Sequence, residues 1–303
     1  MIPYIYKVRT FILLLASLLA LAIGCDSYNL TPDVRVIFQD PQNVTETGFT
    51  LIWSIKPSDY SSMSVILARD PSFRDIVRTR TYSDHTTNTT RFDSLQGATE
   101  YFYRISIVRQ PGSLFISPTK SIHMPFQNDM VSFSTADSAT LKGFLSYLAS
   151  TDGRRPAVIF MHEFGIFVNG WINSDLITTL VSQDYVCLVY FNRGHGSSSS
   201  LDDLHVLIED PKYLANDLRG AMAYLAGLPM VRPEQMVLAG ASMGASMAVT
   251  ANGSDSVLAS VALSPADSYI DYLYPGVPLK NILYIVGEND VVTTDQGIVN
   301  FPE

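Results

Sequence analysis

The chain has 303 residues, 47% of them hydrophobic and 16% charged, with a formal net charge of −9. That length accommodates two domains and a sizeable core. The acidic balance excludes nucleic acid and an anionic membrane surface as partners held by charge.

The first element is an apolar leader. Lys7 and Arg9 precede a run over 11–23 that is apolar apart from Ser17, and Leu21-Ala22-Ile23-Gly24-Cys25 closes it with small residues. A run this short suits a secretory h-region better than a membrane span. Residues 1–24 resemble a bacterial lipoprotein signal, in which Cys25 is the residue lipidated after cleavage, with Ala22 where leucine is more usual. The resemblance implies an exported protein held at the cell envelope membrane through Cys25, with residues 25–32 as a tether. One acyl chain binds weakly, so stable anchoring implies a multiply acylated cysteine. An uncleaved anchor is the alternative, and either reading puts the rest of the chain outside the cytoplasm. The other cysteine, Cys187, falls in the apolar run 185–191 and reads as a small core residue. With Cys25 lipidated, no disulfide is expected.

From residue 33 to 127 short strands alternate with turn residues. Phe49, Leu51, Trp53 and Ile55 alternate with Thr50, Ile52 and Ser54, and Tyr101, Tyr103, Ile105 and Ile107 repeat the pattern of half-buried strands. About 95 such residues predict an all-β sandwich. Leu95-Gln96-Gly97-Ala98-Thr99-Glu100-Tyr101 resembles the fibronectin type III sequence leading to its tyrosine corner, and Trp53 falls where that family keeps its core tryptophan. His85 and His123 are isolated here, so the module reads as a spacer, or as a binder of polysaccharide or protein, without chemistry of its own.

From residue 128 to 303 strands alternate with helices, which predicts parallel βαβ units in an α/β doubly wound, mostly parallel sheet. The runs 156–161, 185–191, 258–263 and 281–286 are continuously apolar, as strands buried on both faces are. A helix opens at Asp210 and Pro211, carries Leu214, Leu218, Ala221, Met222 and Leu225 on one stripe, and ends at Gly227 and Pro229.

Gly240-Ala241-Ser242-Met243-Gly244 lies between a short apolar strand over 236–239 and a small-residue helix over 243–249. In that context G-x-S-x-G is a nucleophile elbow. The tight turn presents Ser242 Oγ at the carboxyl edge of the sheet, above a helix N-terminus that favours negative charge. His162-Glu163-Phe164-Gly165 follows the strand over 156–161, and Arg193-Gly194-His195-Gly196-Ser197 follows the next one. These ordered motifs resemble the α/β-hydrolase superfamily over roughly residues 130–303. Asn192 before Arg193 makes the second loop fit the family's D-x-R-G-x-G-x-S only in part. H-E-F-G resembles the dienelactone hydrolase-like subgroup, with Ser242 where founding members use cysteine.

The resemblance implies an acyl-enzyme on Ser242, an oxyanion hole from the backbone N–H groups of Met243 and Phe164, and Asp290 as the triad carboxylate, with Asp267 as its substitute. Glu163 stays open between a ligand-contacting acid and a structural loop carboxylate. The family's histidine follows the acid, yet none of His85, His123, His162, His195 and His205 does, and the chain stops thirteen residues after Asp290. The expectation is therefore a fragment or frameshifted product lacking the final strand and helix. His195 and His162 are weak surrogates, and His205 reads as structural.

The resulting reading is a lipid-anchored, exported serine hydrolase cleaving a small-molecule or polymer-borne carboxylic ester. No metal or organic cofactor is called for, since no zinc-ligand spacing or P-loop is present. The absent histidine motivates a non-catalytic surface lipoprotein, its hydrolase domain a binding scaffold, as the first alternative. A serine peptidase with the same triad on the same fold is the second.

Overall fold

The computed structural model describes residues 34–56, 58, 60–109, 112–165, 169–172, 174–253, 257–265, 279–288 and 290. The leader, the tether with Cys25, Asp267 and the segment after Asp290 lie outside the described residues. Among the described residues no helix is long and apolar enough to cross a membrane.

The first part contains β1 (Arg35–Phe38), β2 (Gln42–Thr45), β3 (Gly48–Lys56), β4 (Ser62–Ala68), β5 (Ile76–Tyr82), β6 (Thr89–Phe92), β7 (Glu100–Arg109), β8 (Ser113–Ile116) and β9 (Lys120–His123). They form two antiparallel sheets. One runs β1-β3-β2 with β6 also on β3, and the other runs β5-β4-β7-β8 with β9 also on β7. Alternation along β3 and β7 sends Phe49, Leu51, Trp53, Tyr101, Tyr103, Ile105 and Ile107 into one shared core. Each fully buried large side chain of this kind contributes about 1.5–3 kcal/mol. The Tyr101 hydroxyl accepts the Gln96 N–H at 3.0 Å and so fixes the loop that enters β7.

The second part contains β10 (Gln127–Ser134), β11 (Thr140–Tyr147), β12 (Arg155–Met161), α1 (Asn169–Ile172), α2 (Asp175–Ser182), β13 (Val186–Phe191), α3 (Val206–Glu209), α4 (Lys212–Ala226), β14 (Val231–Ala241), α5 (Met243–Thr250), β15 (Val257–Leu263) and β16 (Ile282–Ile285). They build one seven-stranded sheet in the order β10-β11-β13-β12-β14-β15-β16. β10, β11 and β13 pair antiparallel, and the remaining pairings are parallel. This is the mostly parallel α/β sheet expected, but the burial of all four apolar runs on both faces is corrected: Leu258 of β15 and Leu283 and Ile285 of β16 are exposed.

Both faces of β12 are buried, which explains its unbroken apolarity. Ala157, Ile159 and Met161 face the core shared with Leu214, Leu218 and Met247, whereas Val158 and Phe160 face Ile177, Val181 and Cys187. Burial pushes the Cys187 thiol up to about 12, so it stays a protonated core group. Helix α4 starts where Asp210 accepts the Lys212 N–H at 3.2 Å and stops at Gly227, whose N–H bonds the Ala223 carbonyl. The two parts meet directly. Glu46 accepts the N–H groups of Ala149 at 2.9 Å and Ser150 at 2.6 Å, and Gln96 donates to the Ser182 carbonyl.

Candidate active site

Ser242 leaves β14 and opens α5 with φ 50° and ψ −115°, left-handed backbone that a non-glycine residue adopts at a cost on the order of 1–3 kcal/mol. Its neighbours explain how the turn is held. A methyl group on Gly240 would collide with the Gly244 carbonyl, and one on Gly244 with the carbonyl of Met161 at the end of β12. Both glycines therefore allow α5 to press against two strand ends. Ser242 N–H bonds the Leu263 carbonyl at 2.9 Å, and Ser242 O accepts the Ser246 N–H at 3.0 Å. Only the side chain remains outside this backbone grip: Ser242 is half-buried, and its Oγ has no hydrogen-bond partner among the described residues.

Met243 is the first residue of α5, so its N–H is one of the first-turn donors that no carbonyl of the helix can reach. The loop after β12 lies alongside. Trp171 donates its indole N–H to the Met161 carbonyl at 3.2 Å, tying the end of β12 to α1. His162, wholly buried, donates from Nδ1 to the Glu163 carbonyl at 2.6 Å and accepts the Asn192 N–H on Nε2 at 3.1 Å. Burial pushes its pKa down to about 4, aided by the neighbouring His195 and opposed by the Glu163 bond.

His195 comes from the loop after β13, and its ring centroid lies 4.7 Å from that of His162. Its Nδ1 bonds the Arg193 carbonyl at 3.2 Å, and its Nε2 accepts the Gly165 N–H at 3.3 Å. Burial lowers its pKa as well. As the site stands, neither imidazole has a nitrogen left for Ser242. Either ring would have to give up a backbone partner to serve as the surrogate base.

The same loop is anchored by a buried ion cluster that local sequence pattern did not reveal. Arg193 bonds Asp217 through its backbone N–H and through Nε, both at 2.8 Å, and Asp137 through its other nitrogens at 2.7 and 2.9 Å. Arg193 holds the Asp137 carboxyl well below the usual carboxylate range. One signal did exist. Asp217 sits between Leu214 and Leu218 on the apolar side of α4, and it is fully buried.

Asp290 follows β16, and its N–H bonds the Gly287 carbonyl at 3.0 Å. The carboxyl ends of β14, β15 and β16 are laced together, since Ser242 N–H reaches Leu263 O and Ser264 N–H reaches Ile285 O at 2.8 Å. Ser242 and Asp290 thus emerge from the same edge, two strands apart. Glu163 is half-buried beside Phe164. His205 is exposed, bonded through Nδ1 to Asp203 at 3.1 Å, and its ring lies 5.9 Å from that of Phe164. His85, in the loop between β5 and β6, packs on Tyr60, and His123 of β9 lies opposite Glu100 of β7. Among the described residues no three His, Cys, Asp or Glu side chains cluster as metal ligands would.

No protein-family model matches the chain. The thiohydrolase apmlB of Arthrinium phaeospermum is 29% identical over 150 residues, 49% of this chain and 47% of that protein. The chain thus spans about half the length of the curated relative it matches. Among solved structures, DcsB in complex with its substrate analogue is similar at 27% identity and a TM-score of 0.41, covering 46% of each chain. The α/β hydrolase GrgF of Penicillium sp. sh18 shares 25% identity at a TM-score of 0.40, over 46% of this chain and 47% of that one. The esterase Pf2001 of Pyrococcus furiosus shares 24% at a TM-score of 0.38, over 46% and 53%. The proteins that this chain is similar to include, by their descriptions, a thiohydrolase, an α/β hydrolase and an esterase.

Proposed function

We propose that the chain is an exported, lipid-anchored serine hydrolase that cleaves carboxylic esters through an acyl-enzyme on Ser242. The observation that carries this reading is the strained backbone of Ser242, clamped between two glycines that no larger residue can replace. Strain of this kind persists where the surrounding structure enforces it, and it is typical of functional turns. In the proposed reaction Ser242 Oγ attacks the acyl carbon, and the N–H groups of Met243 and Phe164 stabilise the developing oxyanion. One such donor is worth about 3 kcal/mol in the transition state. The alcohol leaves with a proton, and water then releases the acyl group. Asp290 is the carboxylate that would orient an imidazolium on this edge. Similarity to a thiohydrolase extends the substrate class to thioesters, in which the same attack expels a thiol.

The lipid anchor at Cys25 and the location at the cell envelope rest on the sequence alone. The Tyr101–Gln96 bond and buried Trp53 support a fibronectin type III-like reading of β1–β9.

A fluorophosphonate probe on the purified chain tests the serine. Labelling that disappears in Ser242→Ala is expected, and equal labelling of that variant removes the proposal. One observation favours a second reading, a binding scaffold without turnover: the ring nitrogens of His162 and His195 are all bonded to backbone groups. A folded chain that resists the probe supports the scaffold.

A further inference from the structure

The proton transfers proposed for Ser242 make no use of His195, yet this imidazole is buried at 6% exposure beside the site. Burying a polar ring costs free energy unless both nitrogens are bonded. Here they are bonded to backbone, and one partner is the N–H of Gly165, the residue after Phe164. The two peptide groups that flank Phe164 are therefore held from outside their own loop or by its first residue. The Glu163–Phe164 peptide is held by its carbonyl on His162 Nδ1, and the Phe164–Gly165 peptide by its N–H on His195 Nε2.

A trans peptide points its C=O and N–H in opposite directions. With the Glu163 carbonyl turned to the buried His162, the Phe164 N–H is turned away from that ring. Gly165 adopts φ 116°, conformational space that tolerates almost no other residue. The Phe164 ring is flanked by His195 at 6.1 Å and His205 at 5.9 Å, which limits its rotation about the same backbone.

We infer that His195 is a positioning residue: its Nε2 fixes the Phe164–Gly165 peptide while His162 fixes the peptide before it, and with both ends of Phe164 held the Phe164 N–H stays aimed at the oxyanion. This rests on the serine hydrolase reading and adds a role to it. The arrangement requires neutral His195 carrying its proton on Nδ1, because protonated Nε2 cannot accept from Gly165. The groups that face the ring are His162 and Arg193, with Glu163 on the held loop and His205 and Asp203 beyond Phe164.

The test uses the full chain and the rate at which a fluorophosphonate labels Ser242. His195→Phe keeps the ring volume and removes the acceptor, and we expect labelling about 10- to 100-fold slower, as for a small misplacement of a reacting group. His195→Gln places an amide oxygen near the position of Nε2, and its rate should return to within a few-fold of the parent. A His195→Phe chain labelled at the parental rate overturns the inference while leaving the serine reading intact, and so does a Gln variant as slow as the Phe variant. An unlabelled parent removes both. Should the Phe variant fail to fold, the parent decides by NMR: the Gly165 amide resonance must shift with the same midpoint as the His195 ring, and an amide indifferent to that titration sinks the idea.

Discussion

The two parts of the molecule keep their interiors in opposite ways. Between β1 and β9 the buried polar side chains are Thr90 and Ser117 alone among the described residues, and the core is Phe49, Leu51, Trp53, Tyr101 and their neighbours. From β10 onward Arg155, His162, Arg193, His195 and Asp217 are all buried. All but Arg155 belong to the packing at the carboxyl ends of β12 and β13. Desolvating a charge costs several kcal/mol, so such groups persist where their bonds fix a shape that apolar packing cannot. The first part is held by its apolar core. The second holds the loops after β12 and β13 to each other, and buried polar bonds hold them there.

The largest effect that would test this contrast comes from stranding a buried charge. Arg193→Met leaves Asp217, which has no exposed surface, without its cation and should cost about 3–5 kcal/mol. Urea unfolding followed through Trp171, isolated by subtraction of a Trp171→Phe chain, measures it. Replacing both partners, Arg193→Met with Asp217→Leu, should regain much of the loss. A single-variant cost below about 1 kcal/mol would mean that the cluster is solvated and the contrast false.

Acid should separate the two parts next. The folded pKa of His162 is near 4 against an ordinary 6.5, so the unfolded chain takes up the proton first. Its contribution to stability is complete above about pH 6.5 and is lost as the pH falls towards 4, by roughly 3 kcal/mol in all. Protonation also abolishes the acceptor for Asn192 N–H, so the loop after β13 loosens in the same range. Urea midpoints measured from pH 7 to 4 should fall in the parent more steeply than in His162→Gln. Parallel lines for the two chains would assign the acid sensitivity elsewhere.

How much of this the residues disclosed by themselves follows from the range of each interaction. The elbow could be read because its glycines and serine act on one another within five residues, and β12 and β13 because a strand buried twice is apolar throughout. The pairing of His162 with His195 was hidden. It exists because β12 and β13 lie side by side in register, Phe160 opposite Val189, so that the residues just beyond both ends meet. Neither loop states which strand it will adjoin. Likewise Asp217 is visibly misplaced in an apolar stripe, but its partner Arg193, and the Asp137 that Arg193 also bonds, lie on distant loops that only the sheet order brings together.

The smallest effect belongs to the apolar part and sharpens the contrast from the other side. Tyr101→Phe keeps the ring that fills the first core and deletes the oxygen that accepts the Gln96 N–H. A single neutral hydrogen bond is worth about 1 kcal/mol, and the amide left behind is only partly buried, so water recovers some of that. The expected loss is therefore about 1 kcal/mol, with faster hydrogen exchange at the Gln96 amide. Gln96 also donates to Ser182 at the end of α2, so the change reaches the junction with the second part. It should stop there. The loops around Ser242 are held by His162, His195 and Arg193, none of which touches Gln96, and fluorophosphonate labelling should keep its parental rate. If labelling slowed in step with the lost stability, the two interiors would be one cooperative unit, and the division drawn between them would fail.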